Sequence, residues 1–272
     1  MTSDGRRDSV VDYVLGPVRI EDTVQIVELV RASFDESRAP FLAYAQPGMA
    51  AHLGVAISHP AATPDRVLVS ARAVDDDRLL GFADFRDLGD GVGFLSYVAV
   101  DASARGKGIA TALIDDFLAS RPHIVTMKLD VFRDNEPARR LYARLGYEHE
   151  ATSAWATRTI PSGGSEPRVD GLANALAAYN AYGFCELTVT SANTTATVGL
   201  LGRGILNARS LPSFLDDELL SGVAAMFPDL ATVFVSVAES ALTDITVHYR
   251  LEGLSDRMSL AVPGRTPRGT AS

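Results

Sequence analysis

Cysteine is almost missing from this chain: Cys185 is the only one in 272 residues. An internal disulfide is therefore impossible and nothing points to an oxidising compartment; Cys185 reads as a small apolar side chain in a strand. Lysine is nearly as scarce, with only Lys107 and Lys128 against many arginines. Together with abundant alanine, that is a compositional bias with little functional content. No uninterrupted apolar run approaches the roughly 18 residues of a membrane span. The stretch Met1–Asp8 has no apolar signal core. We therefore expect a cytoplasmic protein without a membrane partner. Positive charge is also short, the net formal charge being −9. That disfavours binding to a phosphate backbone, so no nucleic-acid partner is expected, and it suits an amine substrate. The five histidines, at positions 52, 59, 123, 149 and 248, are scattered without metal-ligand spacing, so no metal site is expected. No G-x-S-x-G elbow occurs.

What is present is concentrated between Phe94 and Tyr147. An apolar segment, Phe94–Val100, leads through the polar turn Asp101–Ala104 into Arg105-Gly106-Lys107-Gly108-Ile109-Ala110, which opens an amphipathic segment reaching Ser120. A strand, a glycine-bearing loop and a helix start in that order can hold phosphate. The first helical N–H groups lack internal partners, the helix dipole favours negative charge there, and glycine permits close backbone approach. Two nucleotide loops are excluded. No Gly-Lys-Ser/Thr is present, and the third position of Gly-x-Gly-x-x-Gly is Thr111. Downstream, Ile124–Val131 reads as a strand. In Asn135-Glu136-Pro137-Ala138-Arg139-Arg140-Leu141-Tyr142-Ala143-Arg144-Leu145-Gly146-Tyr147, Asn135 can cap a helix, Pro137 fits its first turn and Gly146 suits the position after its end. Ala138 and Tyr142 fall on one face of that helix.

These two segments resemble the GNAT superfamily of N-acetyltransferases. Arg105, Gly108 and Ala110 fill its acyl-CoA loop pattern R-x-x-G-x-G/A, and Asn135, Ala138 and Tyr142 fill N-x-x-A-x-x-x-Y before a Leu-Gly-aromatic end. The resemblance covers about residues 14–159, with its specific motifs confined to Val98–Tyr147. It implies an α/β fold, a GNAT-type mixed twisted sheet flanked by helices. It also implies acetyl-CoA as co-substrate and direct transfer of the acetyl group to a primary amine, either a small molecule or a protein N-terminus. By the same resemblance, Tyr142 gives a proton to the CoA sulfur, and main-chain groups near Val98 and Val100 pair with the pantetheine amides. Arg105, Gly106, Lys107, Gly108, Ile109 and Ala110 wrap the pyrophosphate, and Asn135 orders the cofactor or caps its helix. A phenol with a pKa near ~10 is a reasonable acid for a thiolate whose conjugate acid lies near ~8.5. The general base departs from many relatives: Ser96 and Tyr97 stand where an acid is common. Glu36, Asp84 and Asp87 are available, and nothing selects among them.

Along the chain, Tyr13–Ile20 reads as a strand and Asp22–Phe34 as an amphipathic helix. A short helix is expected around Gly48–Ala56, within the 37–63 region that lines the acceptor site in the resembled family. Arg66–Val74 and Leu79–Arg86 read as strands joined by the acidic turn Asp75–Asp77, and Tyr147–Thr159 as one long strand or a hairpin. Pro161–Pro167 is the clearest linker signal. The expected organisation is an acyltransferase domain at 9–160, a linker at 161–168, a smaller C-terminal α+β domain at 169–262 and a disordered tail at 263–272. In the C-terminal part we expect a helix over Val169–Tyr182, strands at Phe184–Thr190 and Thr195–Leu201, and a helix over Ser213–Phe227 capped by Ser213. Further strands are expected at Ala231–Val237, Asp244–Leu251 and Met258–Val262. Ala178–Phe184 echoes Leu141–Tyr147 faintly, and chance is the better reading of it. Two rival functions are a catalytically idle acyl-CoA sensor with a C-terminal output domain, and a tandem acetyltransferase with a degenerate second copy. The acceptor and the oligomeric state are not specified by the sequence.

Overall fold

The computed structural model describes residues 12–191 and 194–265. The expected tail beyond residue 265 and the first residues of the expected N-terminal domain lie outside the described residues. The elements are β1 (Tyr13–Pro17), α1 (Thr23–Arg31), α2 (Met49–Ser58), β2 (Arg66–Ala73), β3 (Leu79–Asp87), β4 (Val92–Val100), α3 (Ile109–Ser120), β5 (Thr126–Phe132), α4 (Glu136–Arg144) and β6 (Glu148–Thr159). Then follow β7 (Arg168–Asp170), α5 (Leu172–Tyr182), β8 (Phe184–Thr190), β9 (Thr195–Leu201), β10 (Ile205–Asn207), α6 (Leu211–Leu215), α7 (Asp217–Met226), β11 (Thr232–Ala238) and β12 (Arg250–Ala261).

All twelve strands form one sheet in the order β1-β2-β3-β4-β5-β12-β6-β11-β10-β9-β8-β7. Read from either end, the order has the same logic. An antiparallel run of four strands, β1–β4 or β7–β10, meets a parallel neighbour, β5 or β11. Beyond it lies the last strand of the opposite half: β12 pairs with β5, and β6 pairs with β11. At the centre β12 and β6 pair antiparallel with each other. The two halves of the chain thus repeat one topology and exchange their final strands. In this correspondence Ala178–Phe184 occupies the position of α2 and the start of β2. The faint sequence echo with Leu141–Tyr147 is therefore out of register with the structural repeat.

Three apolar clusters stabilise the sheet. One lies under α3 and α4 and gathers Leu113, Phe117, Met127, Leu129, Tyr142 and, from β12, Met258. A second, against α1 and α2, includes Ile26, Tyr44, Leu53 and Phe82. The third fills the C-terminal half around Phe214, Leu219, Val223 and Val233. The segment 161–168 divides the halves and is packed down: a Cβ on Gly164 would stand 2.4 Å from the Ser221 hydroxyl. Gly48 is likewise pressed against α5, where an added Cβ would lie 2.3 Å from the Ala181 carbonyl oxygen.

Several expected elements take a different form: the helix expected over Val169–Tyr182 begins at Leu172, after β7, and the strand expected at Met258–Val262 is the end of β12. The single helix over Ser213–Phe227 is two helices, because Asp216 adopts an extended backbone (φ −83°, ψ 94°) and caps α7 by accepting from the Leu219 N–H at 2.9 Å. Ser210, not Ser213, caps α6. Of Asp244–Leu251 only Arg250 and Leu251 enter a strand.

Candidate active site

The site is made by a separation of strands. β4 and β5 pair in parallel only from Val92–Leu95 against Thr126–Leu129. Past Leu95 the two strands diverge, while β4 continues on its other edge along β3 to Val100. The gap opens into a cavity of about 420 Å³ lined by Val98, Asn135, Ala138 and Tyr142 and by a wall of Phe34, Phe41, Leu42, Phe132, Trp155 and Phe234.

Local sequence positions the first group. Asn135 accepts the Ala138 N–H at 3.2 Å and so fixes the first turn of α4. Pro137 sits in that turn, where its missing N–H costs nothing. Tyr142 follows one turn after Ala138, 5 % exposed, with its ring 5.6 Å from that of Tyr147. Burial pushes its phenol up to about 12, so the group is a neutral donor across the physiological range.

The glycine loop lies past the open end of β4. Gly106 and Gly108 have φ of 77° and 79°, and a Cβ on either would meet nothing within 4 Å. Gly108 occupies the N-cap of α3. Open space over a left-handed backbone at a helix start suits close approach of an anionic group. Arg105 is exposed and turns back, its Nε donating to the Val100 carbonyl at 3.2 Å. Lys107 is half-buried in the loop. Ile109 is 1 % exposed and belongs to the core, so only its backbone faces the loop, while Ala110 is half-buried on the helix. Val98 lines the cavity; Val100 packs on the core beside it.

None of the three acids available as bases lines the cavity. Asp84 is 2 % exposed and fully engaged, accepting from Arg66 Nη2 at 2.7 Å and from the Tyr44 hydroxyl at 2.8 Å. Asp87 faces His123 at 2.7 Å, and Glu36 is exposed on the loop after α1. Tyr97 lies in the cavity wall, its ring 4.2 Å from that of Tyr44, with its phenol raised by burial and then by Asp84. Among the described residues, no group of three His, Cys, Asp or Glu side chains is arranged to hold a metal ion.

Sequence reading missed the far wall. Trp155 lies on an expected strand and Phe132 one residue past the expected Ile124–Val131, but Asn207, Phe234 and Ser236 come from β10 and β11 of the other half, and Ser255 comes from β12. The alternation of β11 was a signal for a strand, not for its place beside β6.

Residues 27–147 match the Acetyltransferase (GNAT) family model. A search of curated proteins gave no match. Among solved structures, a protein of Pyrococcus horikoshii assigned as an acetyltransferase aligns over 92% of this chain and 89% of its own, at 16% identity and TM-score 0.58. The GCN5-related N-acetyltransferase of Sphaerobacter thermophilus aligns over 91% of this chain and 95% of its own, at 16% identity and TM-score 0.57. PaiA N-acetyltransferase of Thermoplasma acidophilum, crystallised with coenzyme A, covers 51% of this chain and 91% of its own, at 19% identity and TM-score 0.43. The first two likenesses span both halves, so the paired sheet as a whole is a fold found among acetyltransferases. No helix among the described residues is long and apolar enough to cross a membrane. Residues 27–147 of this chain are a GNAT acetyltransferase domain.

Proposed function

We propose that this chain is an acetyl-CoA-dependent N-acetyltransferase acting on a primary amine, with transfer in the gap between β4 and β5. The observation that carries the reading is the divergence of these strands after Leu95 and Leu129, with Tyr142 and Asn135 at the opening and the glycine loop at the strand end. Acetyl-CoA, when bound, supplies the activated acetyl group. The Gly106–Ala110 amides and the α3 N-terminus bind its pyrophosphate, and unpaired main-chain groups of β4 beyond Leu95 orient the pantetheine. Tyr142 holds a proton on its hydroxyl and delivers it to the departing sulfur.

The repeated topology supports a second element of the reading. The chain comprises two GNAT-like halves, about 12–160 and 168–262, joined by exchanged strands, and only the first retains a cofactor loop. In the second, the three-residue β10 leads into Ala208-Arg209-Ser210 without glycine. The protein is therefore a tandem acetyltransferase with one catalytic half. The test is release of free thiol from acetyl-CoA across amino acids, polyamines, aminoglycosides and N-terminal peptides. Amine-dependent release is expected. Tight acetyl-CoA binding with no release on any amine supports the idle sensor instead.

A further inference from the structure

The far wall of the cavity is a box of aromatic rings, and its composition bears on the acceptor. Phe34 meets Phe132 with centroids 6.3 Å apart, and Phe132 meets Trp155 at 4.7 Å. Trp155 meets Phe234 at 5.0 Å, and Phe234 meets Phe41 at 4.8 Å. The rings come from the loop after α1, from β5 and β6, and, for Phe234, from β11 of the second half. The strand under the box is β12, which places the small residue Ser255 beside Phe132 in the sheet. The rings contact one another in a continuous row that lines the cavity.

Charge is equally informative. Among the described residues Asp130 is the one charged side chain lining the cavity, and its charge is offset by Arg257, which donates to its two oxygens from Nε at 2.8 Å and Nη2 at 2.7 Å. Arg38 stacks over the Phe132 ring, its Cζ 4.0 Å from the centroid, and is paired with Asp134. A second ammonium entering this space loses water and meets only a carboxylate already paired with Arg257, which is costly. A flat apolar body loses nothing and gains ring contacts.

We infer that the acceptor is a monoamine on an uncharged aromatic body, an arylalkylamine, with its ring packed against the cavity wall formed by Phe41, Trp155 and Phe234 and the amine directed to the strand gap. The second half of the chain then has a function of its own, as the specificity wall of the first half's active site. The inference rests on the acetyltransferase reading for the amine's fate, but not for the binding of the ring.

Trp155 is the only tryptophan in the chain, so its fluorescence reports on the box directly. The experiment titrates the full-length protein, with and without coenzyme A, with 2-phenylethylamine and with spermidine. In parallel it measures acetylation of both amines, and of kanamycin, from acetyl-CoA. Saturable change in Trp155 emission with 2-phenylethylamine but not spermidine is expected, with kcat/KM at least about tenfold higher for the arylalkylamine. Phe234→Leu, chosen over Ala to keep β11 packed, and Phe41→Ala are each expected to raise the KM for 2-phenylethylamine about tenfold, with the acetyl-CoA Kd unchanged. Preference for spermidine or kanamycin, or an emission that ignores 2-phenylethylamine, overturns the inference. Failure to bind acetyl-CoA, with saturable 2-phenylethylamine binding intact, sinks the acetyltransferase reading and leaves the aromatic box standing.

Discussion

Asp256 of β12 accepts the Nε–H of Arg133, which follows β5, at 3.0 Å across 123 residues of sequence. The same carboxylate is 2 % exposed, accepts the Thr152 hydroxyl of β6 at 3.0 Å, and has Arg139 of α4 at 3.4 Å. One buried side chain from the end of the chain thus ties together the strand before the site, the helix bearing Tyr142 and the strand after it. Asp256→Ala leaves both arginines half-exposed and able to reach water, so its cost falls below that of stranding a fully buried charge. We expect a loss of about 1–3 kcal/mol, read as a lower urea midpoint at unchanged slope. An unchanged midpoint means that the cluster is ornamental.

The strand exchange makes a stronger prediction. Without residues 250–265, β5 and β6 lose the partner that lies between them, and Met258 leaves the cluster that holds Tyr142. A fragment ending near Pro161 is expected to be largely unfolded, or to associate through its exposed edges. Circular dichroism and sedimentation decide this. A monomeric, cooperatively melting fragment that binds acetyl-CoA contradicts it.

How far the sequence discloses this arrangement depends on the range of the interactions. β4, β5 and α4 are legible because their marks are local: apolar runs, the Asn135 cap, Pro137 in the first turn and Gly146 at φ 88° after the helix. The resemblance of Arg105–Ala110 and Asn135–Tyr142 to one family is legible for the same reason, because both patterns are local. β12 shows that an alternating segment declares itself a strand without declaring its neighbours, since a partner beyond a hundred residues leaves no periodic trace. The independence expected of residues 169–262 rests on a loop composition at 161–167 that reports only local chain character, and the fragment ending near Pro161 tests it. The aromatic box shares that blindness, because Phe41, Trp155 and Phe234 converge only once both halves are folded.

Gly108 offers a test of the cofactor loop. Its φ of 79° is unfavourable for a β-branched residue, and the space above it is open. Gly108→Val is expected to weaken coenzyme A at least about tenfold in isothermal titration, with a fall in melting temperature from the strained backbone. Unchanged affinity in a folded variant removes the loop from the binding site.

The pH dependence follows from the lining of the cavity. Asp130 is held by Arg257, and among the described residues no other carboxylate lines the gap, so the acceptor is expected to enter as its neutral form drawn from solution. kcat/KM is therefore expected to rise about tenfold per pH unit towards the amine's own pKa near ~10. Tyr142, raised to about 12 by burial, imposes no alkaline fall below that point. A plateau reached near pH 7 would instead show a protein base at work.

Substitution of Tyr142 by Phe tests the central claim most directly. The ring keeps its packing against Tyr147 and the cluster under α4, and only the hydroxyl of this cavity-lining residue is lost. With chemistry shown to be rate-limiting, Tyr142→Phe is expected to lower kcat by at least about tenfold, and towards ~10²–10⁴-fold if protonation of sulfur dominates the barrier. The acetyl-CoA Kd and the melting temperature stay near those of the native protein. Full kcat in Tyr142→Phe under those conditions contradicts the account and leaves Tyr142 as a packing residue of α4.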